Sequence, residues 1–269
     1  MVRECSQSSI LTETGMRSID STTRFSDRVA DYGRYRPAYP DALLTVLRRE
    51  IGLSRSSIVA DIGSGTGISS ELLLRIACTV FAVEPNAEMR KAAEARLGNE
   101  PRFRSIAARA EATTLGDRSV DVVTAGQAFH WFAAREARAE FIRILRPGGT
   151  VALFWNTRRT GGSPFLSAYE RLLQQFATDY LQVNHRNVST ADLHAFFGGD
   201  YEARVFPNEQ IFDFDGLRGR LLSSSYAPGP EHPDHARMLA ALRPLFDAHH
   251  EHGFVRMEYD TELFFGPIA

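Results

Sequence analysis

The sequence predicts an α/β fold with a seven-stranded, mostly parallel sheet, helices on both faces, and a last strand that runs antiparallel. Short apolar runs alternate with amphipathic helical patterns between residues 58 and 156, which is typical of parallel strands joined by crossover helices. Three glycines stand where the first apolar run turns into a helix, in VADIGSGTGISS. A regularly alternating run near the end, VRMEYDTELFF, predicts the antiparallel strand at or near an edge of the sheet.

The first part of this pattern predicts five strands and the helices between them. The strands are SIVADI, TVFAVE, RFRSIAAR, SVDVVTAG and TVALFWN, and the helices are ISSELLLRIA, NAEMRKAAEARL and AREARAEFIRIL. Asn86 is placed to cap the second helix, because its side chain can accept a hydrogen bond from the first turn. The RPGG segment at 146–149 is expected to close the third helix.

The remaining chain predicts a less regular arrangement. Helical patterns cover 163–182, 190–198, 214–225 and 232–253, and the extended run RVFPNEQIFDF contains Pro207, which favours an edge strand or a bulge. The predicted organisation is a mobile tail (1–22), a helical N-terminal cap (23–57), a ligand-binding core (58–156), a mostly helical insertion with one added strand that covers the ligand end (157–253), and the final strand (254–269).

Composition and charge disfavour several classes of function. The chain has 269 residues, 43% hydrophobic and 24% charged, and a formal net charge of −2, so no basic field for nucleic acid stands out. Cys5 and Cys78 suit neither a disulfide framework nor a zinc site, which favours a reducing compartment. No apolar run has the length of a membrane span, and the first twenty residues lack a signal core. We therefore expect a cytoplasmic protein without membrane partners, as a monomer or a homodimer.

The spacing of the glycines distinguishes between two kinds of nucleotide-like ligand. A dinucleotide site has G-x-G-x-x-G/A, but this chain reads G-x-G-x-G and has Ile68 where the last small residue belongs. Glu84 ends the second strand about twenty residues later, the usual interval for a carboxylate that accepts hydrogen bonds from a ribose. Glycine clusters are often only turns. The acidic pair Asp61 and Glu84 nevertheless favours a binding site, and the spacing disfavours a pyrophosphate.

These motifs, in this order, resemble those of class I S-adenosylmethionine-dependent methyltransferases. The similar segments are FSDRVADYGRYRPAYP, VADIGSGTG, FAVEPNAEM, ARAEATTL, SVDVVTAGQAFHWF, ILRPGGTVALFWN, SSSYAP and YDTELFFG. Within the class, the chain looks like the small-molecule branch that includes trans-aconitate methyltransferase. The resemblance implies a Rossmann-like core, S-adenosylmethionine as cofactor with S-adenosylhomocysteine as product, a small-molecule acceptor, and no metal.

The resemblance also implies which residues bind the cofactor. Asp61 is expected to hold the amino-acid ammonium directly or through water, Glu84 to hold the ribose, and Gln127 to face the methionyl portion. The glycine turn lies against the amino-acid group, because the lack of side chains allows close approach. The full expected set is Tyr32, Arg36, Asp61, Gly63, Ser64, Gly65, Gly67, Glu84, Pro85, Asn86, Met89, Ala110, Glu111 and Gln127.

The adenine contacts follow from the same resemblance. Asn86 and Met89 flank the ring, the Ala110 amide donates to its edge, and Glu111 accepts from the exocyclic amine. Arg109 stands where many relatives have aspartate, which leaves the acceptor for that amine open.

The acceptor side of the site is expected to involve His130, Arg158 and Tyr226. Methyl transfer from a sulfonium is an in-line displacement, for which the protein mainly supplies position and excludes water. A carboxylate acceptor is already ionised and needs cationic groups, for which Arg158, Arg159 and Arg220 are candidates. A hydroxyl acceptor benefits from a base, and His130 has a suitable ordinary pKa. The NTRR segment after the fifth strand favours an acidic acceptor.

Each functional interpretation has an alternative. The AFHWF cluster is also typical of a core, and the histidines of HPDH and DAHHEH are more typical of a solvated face than of a metal site. For the whole chain, the alternatives are a non-catalytic protein that retains the cofactor site and a nicotinamide-dependent oxidoreductase. Nucleic-acid substrates are disfavoured because no N-P-P-Y/F motif follows the fourth strand, whereas protein substrates stay open.

Overall fold

A computed structural model of the chain describes residues 33–77, 79–180 and 188–268. The expected tail at 1–22, Tyr32 and Cys78 lie outside the described residues. The strands are β1 Ile58–Ile62, β2 Thr79–Val83, β3 Phe103–Ile106, β4 Val120–Gly126, β5 Leu145–Arg158, β6 Glu202–Phe212 and β7 Val255–Gly266.

These strands form one seven-stranded sheet in the order β3-β2-β1-β4-β5-β7-β6. Strands β1 to β5 are parallel, and β7 runs antiparallel to both of its neighbours, β5 and β6. The predicted α/β class with a mostly parallel sheet and an antiparallel last strand is confirmed. β6 is an edge strand and contains Pro207, which has no N–H for a further strand to bind. The last strand lies one position in from that edge.

The helices surround this sheet. They are α1 Asp41–Arg49, α2 Ile68–Leu74, α3 Ala87–Leu97, α4 Ala134–Ile144, α5 Pro164–Phe176, α6 Thr190–Phe197, α7 Phe214–Leu222 and α8 Asp234–His249, and a 3₁₀ turn spans Phe129–Trp131. The predicted cap is confirmed, because Asn86 Oδ1 accepts a hydrogen bond from the Met89 amide at 3.0 Å. Within the described ranges, no helix combines the length and the apolar composition needed to cross a lipid bilayer.

Several helices are shorter than the sequence predicts. α4 ends at Ile144 rather than at RPGG, because Leu145 is already extended (φ −70°, ψ 137°) and pairs with Val120 of β4. The register of β4 against β5 then shifts, so that RPGG forms an irregular start of β5 instead of a helix end. α5 stops at Phe176, where the next residue turns extended in the same way.

Apolar side chains pack into three clusters, two of which cover the two faces of the sheet. Helices α1, α2 and α3 cover one face, and α4 and α6 cover the other, which confirms helices on both faces. Along β1, Val59 packs with the first group and Ala60 with the second, as strand alternation requires. The third cluster consists of α5, α7, α8 and the beginning of β7.

The turn between β1 and α2 depends on a glycine at position 67. Gly67 has a φ of +85°, and a Cβ there would lie 2.9 Å from Leu97 Cδ1 and 3.3 Å from Ala93 Cβ on α3. Gly52 has a similar φ of +79°, but nothing lies within 4 Å of the position that a Cβ would take. Comparing substitutions at these two glycines therefore separates the energetic cost of backbone strain from that of steric crowding.

We expect Gly67→Ala to lower the free energy of unfolding more than Gly52→Ala does. Both substitutions force alanine into the left-handed region at a cost of roughly 1–2 kcal/mol, and only the first adds crowding, worth about 1–3 kcal/mol. Chemical denaturation of the two variants measures the difference. Equal losses would contradict the packing role assigned to Gly67.

Candidate active site

A buried carboxylate fixes the turn that follows β1. Asp61 is fully buried, and its Oδ2 accepts hydrogen bonds from Ser69 Oγ at 2.7 Å and Ser70 Oγ at 2.6 Å. Its Oδ1 accepts a third from Thr124 Oγ1 of β4 at 3.1 Å. Burial raises the pKa of Asp61, and the three hydroxyl groups partly offset that effect. The carboxylate thus ties the first turn of α2 and the middle of the sheet together.

The glycine turn leaves one stretch of backbone open. Gly63 has a φ of +68°, and a Cβ there would lie 2.5 Å from Ala128 Cβ. Packing against Ala128 therefore leaves no room for a side chain at Gly63. Gly65 has a φ of +56°, but no atom lies within 4 Å of the position that its Cβ would take. Left-handed backbone explains why both positions are glycine. The open space at Gly65 lets a ligand approach the backbone.

The carboxylate of Glu84 holds this turn from the end of β2. Its Oε2 accepts a hydrogen bond from the Gly65 amide at 3.0 Å, and its Oε1 accepts one from the Asn86 amide at 2.8 Å. Burial raises the pKa of Glu84, while the two amides and the charge of Arg90 act in the opposite direction. The two acidic residues that the sequence pairs therefore both shape the turn, and Glu84 also faces a cavity.

This cavity, of about 190 Å³, lies at the carboxyl ends of β1, β2, β4 and β5. It is lined by these residues of the expected cofactor set: Arg36, Gly63, Gly65, Glu84, Pro85, Asn86, Met89, Ala110, Glu111 and Gln127. The three expected catalytic residues, His130, Arg158 and Tyr226, line the same cavity. Ser64 lines a smaller adjoining cavity of about 40 Å³. Asp61 and Gly67 are not among the lining residues of either cavity, and Tyr32 is not described.

A strained residue directly after β4 lines the cavity. Gln127 has a φ of +59°, a conformation that costs energy for a residue with a Cβ and is typical of functional sites. Its Nε2 donates to the Asn156 carbonyl of β5 at 3.1 Å. The Asn156 side chain donates in turn to the Ala38 carbonyl at 3.3 Å and accepts from Asn208 Nδ2 at 3.0 Å. These bonds hold Gln127 in place between two strand ends.

His130 lies in the 3₁₀ turn after β4, and its ring centroid is 4.9 Å from that of Trp131. Burial, together with the nearby charge of Arg36, lowers the pKa of His130 to about 4. The imidazole is therefore neutral at pH 7 and is a weaker base than an ordinary histidine. Its environment argues against the general-base role that its ordinary pKa suggests.

Two buried arginines line the end of the cavity that lies over β5. Arg158 is 8% exposed, forms an ion pair with Glu170, and donates to the Tyr180 hydroxyl at 3.0 Å. Arg220 of α7 is 5% exposed and donates to the Tyr259 hydroxyl at 3.1 Å. Arg158 therefore has a carboxylate as its counter-charge, and Arg220 adds a positive charge at this end of the cavity.

Tyr226 lies near both arginines. Burial opposes ionisation of its phenol, but the charges of Arg220, Arg158 and Arg36 lower the pKa of Tyr226 below its ordinary value. Its ring centroid is 4.9 Å from that of Tyr180, edge to face.

Arg159 does not belong to the site, although the sequence makes it a candidate beside Arg158. Its side chain is 43% exposed, and its Nη2 lies 2.6 Å from Asp260 Oδ1. Successive residues at the end of a strand point in opposite directions, so only one of the two arginines of NTRR reaches the cavity.

Asn156 and Tyr180 are among the lining residues that sequence reasoning misses. Asn156 carries the same signal as Glu84, a polar residue at the carboxyl end of a buried strand, and that signal is sufficient to find it. Tyr180 carries no such signal, because it comes from the segment after α5 and reaches the cavity only through tertiary packing.

Comparison with known proteins agrees with this geometry. The profile of the family described as "Methyltransferase domain" matches residues 60–153. An uncharacterised methyltransferase of Schizosaccharomyces pombe is 32% identical over 202 residues, which cover 74% of this chain and 77% of that protein. The chain belongs to the class I S-adenosylmethionine-dependent methyltransferases.

Two further similarities define how far the likeness extends. An uncharacterised methyltransferase of Mycobacterium tuberculosis is 38% identical over 143 residues, which cover 52% of this chain and 54% of that protein, so the match spans about half of each. A solved structure from Anaeromyxobacter dehalogenans, assigned as a type II methyltransferase, has a TM-score of 0.62 at 24% identity, with 87% of this chain and 98% of that chain covered. This methyltransferase therefore shares the fold of that solved structure.

The residues present fit the cofactor of this family. The open backbone at Gly65 admits a close contact, the Glu84 carboxylate lines the cavity with spare acceptor capacity, and Met89 offers a buried apolar surface. Among the described residues, His, Cys, Asp and Glu side chains form no group of three that could hold a metal ion.

We expect His130 to make the stability of this methyltransferase depend on pH between about 6.5 and about 4. The pKa of His130 is lowered to about 4 from 6.5, so the unfolded chain binds the proton first and stability falls as pH decreases through this window. The loss attributable to this group approaches about 3 kcal/mol at low pH. Denaturation of the wild type and of His130→Asn at a series of pH values measures it.

The exposed His194 supplies the control. His194→Asn is expected to retain the wild-type pH dependence, whereas His130→Asn is expected to flatten it. Parallel curves for the wild type and His130→Asn would show that the ring is not held neutral by its surroundings.

Proposed function

We propose that this methyltransferase transfers the methyl group of S-adenosylmethionine to an oxygen of a small acidic molecule, as expected for the small-molecule branch that its sequence resembles. The observation that supports this most strongly is the chemical division of a single cavity. Glu84, Glu111 and the open glycine turn line one end, over β1 and β2. Arg158 and Arg220 line the other end, over β5.

The first end has the groups that the cofactor needs. Glu84 accepts one amide hydrogen bond on each carboxylate oxygen, and each oxygen retains a lone pair for a ribose hydroxyl. Met89 and the Ala110 backbone would flank the adenine, and Gly65 would lie against the amino-acid portion. When bound, S-adenosylmethionine supplies an electrophilic methyl group on a sulfonium centre.

The second end favours an acceptor that arrives already ionised. A neutral His130 with a pKa of about 4 is poorly suited to remove a proton at pH 7. Arg158 lines this end with a permanently charged guanidinium, which would attract a carboxylate group of the acceptor. A carboxylate acceptor requires no base, so Arg158 would orient it while Gln127 and His130 border the space between the two ends. Binding and orientation then account for most of the protein's contribution.

A hydroxyl acceptor is the second candidate, and the lowered pKa of Tyr226 favours it. An ionised Tyr226 would take the proton of the hydroxyl, and the resulting alkoxide or phenolate would attack the methyl group. A rate that rises with pH through one ionisation, and loses that rise in Tyr226→Phe, would select this candidate over the carboxylate.

We expect Glu84→Gln to weaken the binding of S-adenosylmethionine and S-adenosylhomocysteine by on the order of 10- to 100-fold, because hydrogen bonds to a charged group contribute roughly 1.5–3 kcal/mol. Calorimetric titration measures the two affinities. Glu88→Gln is the matched control, since Glu88 is exposed on α3 and pairs with Lys91. Binding of NAD(H) in place of the two adenosyl ligands would overturn the proposed cofactor.

We expect Arg158→Gln to raise the KM of an acidic acceptor by on the order of 10- to 100-fold, because a buried charged contact is lost. Arg159→Gln is expected to leave the KM unchanged, since Arg159 pairs with Asp260 on the surface. Steady-state kinetics on a panel of small carboxylic acids measures both, and S-adenosylhomocysteine affinity verifies that each variant is folded. Unchanged turnover of every active acceptor by Arg158→Gln would remove the support for an acidic acceptor.

A further inference from the structure

Among the described residues, the buried cation Arg220 has only neutral hydrogen-bond partners. It is 5% exposed, and its Nε and Nη1 donate to the Tyr259 hydroxyl at 3.1 Å and to Ser224 Oγ at 3.0 Å. No carboxylate lies within ion-pair distance of it in the part of the chain that the structure describes. Arg220 also lines the cavity.

The contrast with Arg158 shows that this arrangement is unusual. Arg158 is buried to a similar degree but has the carboxylate of Glu170 as its counter-charge. A guanidinium remains protonated in proteins, and burying a charge without an opposite charge is costly. The hydroxyls of Tyr259 and Ser224 orient the Arg220 side chain but do not neutralise it. The cavity end therefore has an excess of positive charge that an anionic ligand would satisfy.

The sheet order gives the distance of this charge from the reacting centre. Tyr259, which holds Arg220, is on β7 and pairs with Arg158 of β5, whereas Gln127 directly follows β4. β7 lies two strands from β4, and neighbouring strands lie about 4.8 Å apart, so Arg220 is held by a strand on the order of 10 Å across the sheet from β4. An anion there belongs to a part of the acceptor away from the methylated oxygen.

We propose that Arg220 anchors a second, non-reacting anionic group of the acceptor, such as a carboxylate or a phosphate. This inference rests on the proposed function and adds to it that the acceptor has two functional groups, one that accepts the methyl and one that remains charged. The second group sets specificity, because an acceptor without it leaves Arg220 buried and unneutralised. Tyr226 lies beside the anchor and contributes a hydroxyl to the same anion.

The alternative is a purely structural Arg220. It takes part in a hydrogen-bond series in which Arg220 donates to Tyr259, the Tyr259 hydroxyl donates to Gln210 Oε1 at 2.8 Å, and Gln210 Nε2 donates to the Tyr35 carbonyl at 3.1 Å. A structural role predicts that substitution lowers stability and leaves the binding of anions unaffected. A test therefore needs a readout of anion binding.

The probes are succinate, acetate, inorganic phosphate and the neutral succinamide. Each is titrated calorimetrically into the 269-residue methyltransferase in the presence of S-adenosylhomocysteine at constant ionic strength. We expect the wild type to bind at least one of the anions and not succinamide. Arg220→Gln is expected to weaken that binding by on the order of 10- to 100-fold and to retain the affinity for S-adenosylhomocysteine. Preference for succinate or for phosphate identifies the anionic group.

Arg218→Gln is the matched control, because Arg218 is an exposed arginine on the same helix. This variant is expected to bind the anions with the affinity of the wild type. Arg220→Lys retains the positive charge but lacks the planar guanidinium. If Arg220→Gln does not fold, Arg220→Lys tests the same proposal, and weaker anion binding than in the wild type is expected. Anion binding equal to the wild type in a folded Arg220 variant, or absent from a wild type that binds S-adenosylhomocysteine, would overturn the anchor. A wild type that binds no S-adenosylhomocysteine would instead overturn the proposed function.

Discussion

The geometry of the site depends on the buried carboxylate of Asp61. A buried carboxylate without donors is costly, so the hydroxyls of Ser69, Ser70 and Thr124 and the carboxylate require one another. Their bonds hold the start of α2 against β1 and β4. Between these two fixed ends, the turn adopts positive φ at Gly63, Gly65 and Gly67, which glycine allows. A carboxylate that does not line the cavity therefore helps to hold the backbone that does.

A series of hydrogen bonds fixes the residues between the glycine turn and the opposite end of the cavity. Glu84 holds the Gly65 amide, and Thr124 lies three residues before the strained Gln127. Gln127 binds Asn156, which in turn binds the segment before α1 and β6. Groups from four strands therefore keep their spacing without a ligand, and such preorganisation reduces the entropy lost when two substrates are brought together.

The sequence is sufficient for the parts of the site that strand ends supply. Parallel strands end at one edge, so Glu84, Gln127 and His130 are predictable from local pattern and fold class. Arg158 and Arg159 are adjacent and chemically identical in sequence, and only the pairing of β5 with β7 decides which faces the cavity. Tyr180 is missed, and the sequence names Arg220 as a candidate without locating it at the cavity. Both residues come from irregular or helical segments, and no local pattern encodes how such segments pack. The low pKa of His130 likewise depends on burial and on Arg36, which lies far away in sequence.

The charge distribution has a direct consequence for the proposed reaction. Methyl transfer from a sulfonium to a carboxylate neutralises one positive and one negative charge, so the transition state is less charged than the reactants. Removal of water from such reactants favours the transition state, provided that fixed charges still hold the reactants in place. Glu84 at one end and Arg158 and Arg220 at the other supply these fixed charges. An imidazolium between them would repel the sulfonium and compete for the carboxylate, and the burial that keeps His130 neutral removes that competitor.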